Sequence, residues 1–226
     1  MEKIQKKDFI ELEFIGKTKE GEVFDTNISE EAKKIGLEIE NKPFIVCIGQ
    51  KMVLQGLDNA LEDKEVNKKY SVELQPKEAF GERNSSLIKL MPIKLFKEKQ
   101  MNVYPGLTLS FDNTIAKVIS VSGGRVLVDF NNPVAGKIVI YEFTIKRKVE
   151  DINEKINAIT DYFLRNKFEF EIRNEDKKII IKCEKAYESL IQMLNNQFKD
   201  ILDLEMVIKE KKEGNNESKE ESKVEN

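Results

Sequence analysis

The side chains that could do chemistry in this chain are carboxylates and rings. None of the 226 residues is histidine. That removes imidazole acid–base catalysis, Ser-His triads and histidine metal sites. The two cysteines, Cys47 and Cys183, lie far apart among apolar neighbours. They read as small buried hydrophobes, and a disulfide would be unusual in the cytosol. Scattered carboxylates could bind a hard cation, but no D-x-D-x-D-G loop is present, so neither metal nor cofactor is expected. The odd stretch is KPFIVCIGQKMVLQGLDNAL, residues 42–61. An apolar run at 44–48 is cut by Gly49, the run 52–54 is followed by Gly56, and Leu57 then opens a short helix. These apolar side chains and two glycines fall close together with no histidine, cysteine pair or serine triad nearby.

The elements that must position these residues are legible in the pattern. In DFIELEFIG, residues 8–16, Ile10, Leu12 and Phe14 fall on one face and Glu11 and Glu13 on the other, as in a half-buried strand. Glu20-Gly21 reads as a hairpin turn, and Val23-Phe24-Asp25 as the returning strand. SEEAKKI, 29–35, predicts a helical turn capped by Ser29. Residues 44–48 predict a strand and 57–62 a helix; Tyr70, Val72 and Leu74 alternate until Pro76 stops them. From 84 to 132 the style changes. LIKLMPIKLF offers a strand and a single turn, and three further strands follow with turns at Asp112-Asn113 and Gly123-Gly124. Val139, Tyr141, Phe143 and Ile145 then alternate in a strand whose expected partner is the first strand rather than the insert.

A new unit begins near residue 150. Ile152, Ile156, Ile159, Tyr162 and Phe163 recur at helical spacing. Two strands follow around residues 174–176, then one long helix over 184–202 with Tyr187, Leu190, Ile191, Leu194 and Phe198 on one stripe, then a final strand in LEMVIKE. The two apolar stripes are core, or alternatively a dimer interface. Residues 211–226 contain one apolar side chain and are expected to be disordered.

Composition bounds the function. Charged residues are 35% and hydrophobic residues 40%, with a net charge of −3, which gives no support for nucleic-acid binding. No apolar run approaches the roughly 20 residues a membrane helix needs. No signal peptide is visible after MEKIQKKDFIELEF, so a soluble, cytoplasmic protein without a membrane partner is expected.

Three motifs together resemble the FKBP-type peptidyl-prolyl cis-trans isomerases. The family's G-x-x-V/L-I/L-x-G runs here from Gly49 through MVLQGL; its D-G-x-x-F-D hairpin is EGEVFDT; its P-x-x-A-Y/F-G is PKEAFGE, residues 76–82. The segment after AFGE resembles the SlyD-like subgroup, whose extra β-domain sits in the flap beside the site, and NNPVAGKIVIYEF resembles that subgroup's return point, with Asn132 where the subgroup has His. The extension from 150 resembles the longer archaeal members. The resemblance implies an α+β fold. An antiparallel sheet around a short helix would form a discontinuous isomerase domain, 1–83 plus 133–150, with a β-domain at 84–132 and a C-terminal α+β domain at 151–210.

It also implies a slot lined by Phe14, Phe24, Phe44, Val53, Leu54, Leu57, Phe80 and Tyr141. Asp25, directly after Phe24, would be the pocket carboxylate, acting electrostatically with Phe14, Phe80 and Tyr141, and the Leu54 N–H would hold a substrate carbonyl. Phe14 and Phe80 stand where many members have tyrosines, so hydroxyls that could bond Asp25 and substrate are expected to be lost. Leu57 replaces the tryptophan many members place at the pocket floor. The tail lacks the His and Cys of the SlyD metal site. The partners implied are unfolded or proline-containing polypeptides, and a homodimer through residues 151–210 is a further expectation. In the insert, Leu90, Met91, Ile93, Leu95 and Phe96 make a dense apolar run suited to promiscuous client binding, against a passive β-module. Two rivals to a chaperone-assisted isomerase stand: a holdase with a silent slot, and a scaffold assembled through the C-terminal domain.

Overall fold

The computed structural model describes residues 3–40, 42–111 and 114–210. In chain order the elements are β1 Phe9–Thr18, β2 Val23–Thr26, α1 Ser29–Lys34, β3 Ile45–Cys47, α2 Gln55–Leu61 and β4 Lys69–Leu74. Then come β5 Ile88–Pro92, α3 Ile93–Glu98, β6 Thr108–Phe111, β7 Thr114–Ser122, β8 Arg125–Asp129 and β9 Val139–Val149. The last are α4 Ile152–Leu164, β10 Glu169–Arg173, β11 Lys178–Cys183, α5 Glu188–Gln192, α6 Asn195–Leu202 and β12 Glu205–Glu210. The fold is α+β. It divides into two compact units, Met1–Glu150 and Asp151–Asn226.

The first unit holds two sheets. One is five-stranded in the order β2-β1-β9-β4, with β3 also on β1. β1 and β9 pair antiparallel along their whole length, Phe9 opposite Val149 and Thr18 opposite Val139, so β9 joins the first strand as its alternation requires. Leu12, Phe14, Tyr141, Phe143 and Ile145 are all buried on these strands. The other sheet is four-stranded, β5-β8-β7-β6. It has its own core of Phe96, Leu109, Ala116, Val118, Val126 and Val128. The turn expected at Asp112-Asn113 lies outside the described residues.

Two local expectations are corrected. Ser29 does not cap α1. The cap position is Ile28, without a side-chain cap bond. Thr26 and Asn27 fix the helix entry one residue earlier, because both are hydrogen-bonded to β1. The single helix at 184–202 is three pieces: a 3₁₀ turn at Lys185–Tyr187, α5 and α6. Leu194 N–H closes a tight turn onto the Ile191 carbonyl at 2.9 Å. The Asn195 side chain leaves the helix ladder and accepts from Met206 N–H at 3.3 Å, tying α6 to β12.

The second unit has a three-stranded sheet, β10-β11-β12, antiparallel on one side of β11 and parallel on the other. Ile156, Ile159, Ile191 and Phe198 are buried in it, while Leu190 and Met193 are exposed. Asp151 caps α4 by accepting from Glu154 N–H at 2.9 Å. Cys47 and Cys183 are both buried. Among the described residues no helix is long and apolar enough to cross a membrane. The segment expected to be disordered, 211–226, lies outside the described residues.

Candidate functional site

Five rings form a continuous chain in the first unit. Phe44 meets Phe14 edge-on at 5.7 Å between centroids, and Phe14 meets Tyr141 at 5.8 Å. Tyr141 meets Phe24 at 6.0 Å, and Phe24 meets Phe80 at 5.5 Å, both edge-on. Edge-to-face pairs of this kind are favourable beyond the area they bury. The expected slot residues Phe14, Phe24, Phe44, Phe80 and Tyr141 are thus brought together from four separate parts of the chain. Phe14 and Tyr141 are buried, while Phe24, Phe44 and Phe80 are half-buried. Leu57 is fully buried on α2; Val53 and Leu54 are half-buried at its entry.

The centre of the site is a row of residues directly opposite one another. Asp25 pairs with Gly16, Gly16 with Tyr141, and Tyr141 with Val72. Gly16 is what allows Tyr141 to reach Asp25. A Cβ there would stand 3.0 Å from Tyr141 Cε1 and Cζ and 3.1 Å from Phe24 Cζ. The ring therefore lies over the glycine, and its hydroxyl donates to Asp25 Oδ2 at 3.1 Å. Phe14 and Phe80 have no hydroxyl to offer Asp25, and its hydroxyl partner is Tyr141 on β9.

The electrostatics follow from burial. Burial pushes the Asp25 carboxyl above its ordinary range, against the hydrogen bonds it accepts from the Tyr141 hydroxyl and the Thr26 N–H. Burial, then the Asp25 charge and the shared hydrogen bond, raise the Tyr141 hydroxyl far above its ordinary value, so it stays a donor.

Neighbouring groups hold this row in place, and several were not singled out from sequence. Thr26 Oγ1 donates to the Phe14 carbonyl at 2.8 Å, Asn27 Oδ1 accepts from Phe14 N–H at 2.8 Å, and Asn27 Nδ2 donates to the Leu12 carbonyl at 2.6 Å. These bonds continue the ladder where β2 ends and so aim Phe24 and Asp25. Asp58 on α2 accepts from Gly49 N–H at 2.9 Å and Lys51 N–H at 3.2 Å, folding the loop that leads into Val53 and Leu54. Gly49 and Lys51 both have positive φ, 82° and 56°. Gly56 has to be glycine for another reason: a Cβ would stand 2.6 Å from Leu74 Cδ2 and 3.0 Å from the Glu78 carbonyl. Phe80 follows a turn locked by Gln75 and Glu78, and Gly81 N–H donates to the Pro76 carbonyl at 2.7 Å. The signal for Gly16 was present, since glycine inside an alternating strand marks close approach.

A groove of about 700 Å³ reaches one of these rings, Phe24. Thr18 and Phe24 of the five-stranded sheet and Glu22 of the turn between them line it on one side, and Thr108, Ile115 and Ile119 from the insert. Of the insert residues expected to meet clients, Leu90 and Leu95 are 56% and 45% exposed. Phe96 is corrected: it is 1% exposed and belongs to the insert's own core, because α3 folds back over the sheet. Met91 and Ile93 are partly buried against that core. Tyr104, Ile115 and Ile119 are exposed apolar residues that the sequence reading passed over. Alternation carried the signal for two of them, since Ala116 and Val118 face the core.

Residues 89–134 match the family model described as FKBP26, IF domain. Over 146 residues the chain is 30% identical to the short-type peptidyl-prolyl cis-trans isomerase of Methanocaldococcus jannaschii, covering 63% of this chain and 91% of that one. Over 162 residues it is 28% identical to the FKBP-type peptidyl-prolyl cis-trans isomerase SlyD of Helicobacter pylori, covering 70% and 80%. The crystal structure of the three FKBP domains of wheat FKBP73 aligns with 67% of this chain and 42% of that chain, at 18% identity and a TM-score of 0.37.

Proposed function

The chain belongs to the FKBP-type peptidyl-prolyl cis-trans isomerases, in their SlyD-like branch, and from that premise we propose that the five-ring slot around Asp25 is where the prolyl bond turns. The observation that carries the reading is the Tyr141 hydroxyl on Asp25 at 3.1 Å within the ring chain.

The reaction breaks no covalent bond. Partial double-bond character gives the amide a barrier of about 18–20 kcal/mol, and spontaneous turning at proline takes tens to hundreds of seconds. The twisted transition state loses amide resonance, so its carbonyl carries less charge separation than the planar ground state. An apolar slot disfavours the dipolar planar form and accommodates the twisted one. Each tenfold acceleration needs about 1.4 kcal/mol of such difference. Phe14, Phe24, Phe44, Val53, Leu54, Leu57 and Phe80 supply the apolar walls. Asp25, fixed by Tyr141, orients the substrate or interacts with the turning carbonyl. The Leu54 N–H holds a second substrate carbonyl.

The insert acts as a capture surface for unfolded, proline-containing chains. Its exposed Leu90, Leu95, Ile115 and Ile119 support this, and the last two face the groove that ends on Phe24. Capture beside the slot raises the local concentration of prolyl bonds. Replacing residues 84–132 by a short loop should suppress turnover on an unfolded protein far more than on a short peptide. Equal losses on both, measured side by side, would remove the capture role. In the second unit, the exposed Leu190 and Met193 offer a surface for pairing two copies; sedimentation of the full chain at increasing concentration checks this, and a monomer throughout would refute it.

A further inference from the structure

The chain enters the insert along residues 81–87 and leaves it along 129–136, and these two segments run side by side. Backbone bonds join them at both ends: Gly136 N–H to the Gly81 carbonyl at 2.8 Å, and Phe130 N–H to the Leu87 carbonyl at 3.0 Å. Beside those bonds, side chains join the two segments, foremost that of Asn131. Asn131 Oδ1 accepts from Asn84 N–H at 2.8 Å, and Asn131 Nδ2 donates to the Asn84 carbonyl at 3.0 Å. The side-chain amide thus takes the place a backbone peptide would hold in a ladder. It also donates to Asp129 Oδ1 at 2.7 Å, and that oxygen accepts from Asn131 N–H at 2.9 Å. The other Asp129 oxygen pairs with Arg83 on the entering segment.

Asn131 is 8% exposed, and its Oδ1 and Nδ2 are both engaged. A satisfied, buried polar network rigidifies its surroundings. Burial, the largest influence on Asp129, raises its carboxyl. Hydrogen bonds from Asn131 and the Arg83 guanidinium outweigh it and hold the group below the ordinary range. None of these side chains belongs to the ring slot or to the insert core. All three, Arg83, Asp129 and Asn131, form part of the wall of the groove between Ile119 and Phe24.

We propose that Asn131, bridging Asn84 and the Arg83–Asp129 pair, is a positioning residue that fixes the insert at a set distance from the slot, so that a chain held by the insert presents its prolyl bonds to Phe24. This rests on the capture reading above. A short peptide enters the slot directly and does not depend on the joint.

The test uses the full chain with Asn131→Ala, Arg83→Gln and Arg83→Lys. Three readouts are taken: kcat/KM on a short prolyl peptide, kcat and KM on an unfolded protein whose refolding waits on a prolyl bond, and the Kd for a permanently unfolded protein. Asn131→Ala should lower kcat on the protein substrate roughly tenfold, as a displaced reacting group does, with peptide turnover and Kd unchanged. Arg83→Gln should show the same split more weakly, and Arg83→Lys, which keeps the ion pair, should restore it. A merely structural role would move all three readouts together, and that result overturns the proposal. Should Asn131→Ala fail to fold, the Gln/Lys pair at the half-exposed Arg83 decides in the same way. A parent chain with no advantage on the protein substrate would overturn the capture reading and the positioning role together. A parent chain with that advantage and variants indistinguishable from it would overturn the positioning role alone.

Discussion

Asp25 and Tyr141 show how two ordinary residue types become a coupled pair. Buried carboxylates are costly when ionised, and a hydroxyl that donates to the charged form offsets part of that cost. Here burial dominates, so the Asp25 carboxyl sits above its ordinary range. A carboxyl raised by folding lends stability in its protonated form. That contribution is complete below the unfolded range and is lost as pH rises through the folded value. Asp25→Asn should therefore leave thermal stability at neutral pH equal or slightly higher, with the difference from the parent growing from acid to neutral pH. The same variant should slow isomerisation. The acid limb of kcat/KM, placed above the usual carboxylate range in the parent, should be absent in Asp25→Asn. Unchanged turnover and an unchanged pH profile would remove Asp25 from the mechanism.

At the scale of elements, the strand alternation in β1 and β9 was enough to predict which face is buried, because a one-residue slip would bring every buried ring into water. The outward face carries cross-strand ion pairs such as Lys17–Glu142 at 2.8 Å and Arg147–Glu11 at 2.7 Å. They are exposed or half-exposed, and pairs of this kind contribute only about 0–1 kcal/mol each; the apolar face sets the register. The row Asp25–Gly16–Tyr141 was not legible, because it depends on which residues stand opposite across three strands. Nor was the break near Met193 and Leu194, where Asn195 serves β12 rather than its own helix. The reading of Ser29 as a cap failed for a similar reason, since long-range bonds from Thr26 and Asn27 decide where α1 begins. Gly16→Ala tests the row directly. The added Cβ displaces the Tyr141 ring and should lower isomerase activity at least tenfold, at a stability cost of about 1–3 kcal/mol, typical of overpacking. Activity equal to the parent in the peptide assay would show that the ring's seat over residue 16 does not matter.

Across the whole molecule, motifs at three separated places were expected to share one pocket, and the rings of two of them, Phe24 and Phe80, meet at 5.5 Å. Spacing could not say which part of the apolar run at 87–96 packs its own module. Phe96 does so, while Leu90 and Leu95 stay in water, and β7 adds Ile115 and Ile119. Burial is a property of the folded insert, and periodicity in a run so uniformly apolar does not resolve it. The central claim is that an apolar ring-lined slot speeds rotation about a prolyl bond without proton transfer or bond cleavage. Stopped-flow measurement of cis-to-trans conversion in a short prolyl peptide, with and without the full chain, tests it most directly. The account predicts a first-order rate that rises in proportion to protein concentration. Normal binding of unfolded chains with no acceleration of the peptide at any concentration would contradict it and leave a holdase in its place.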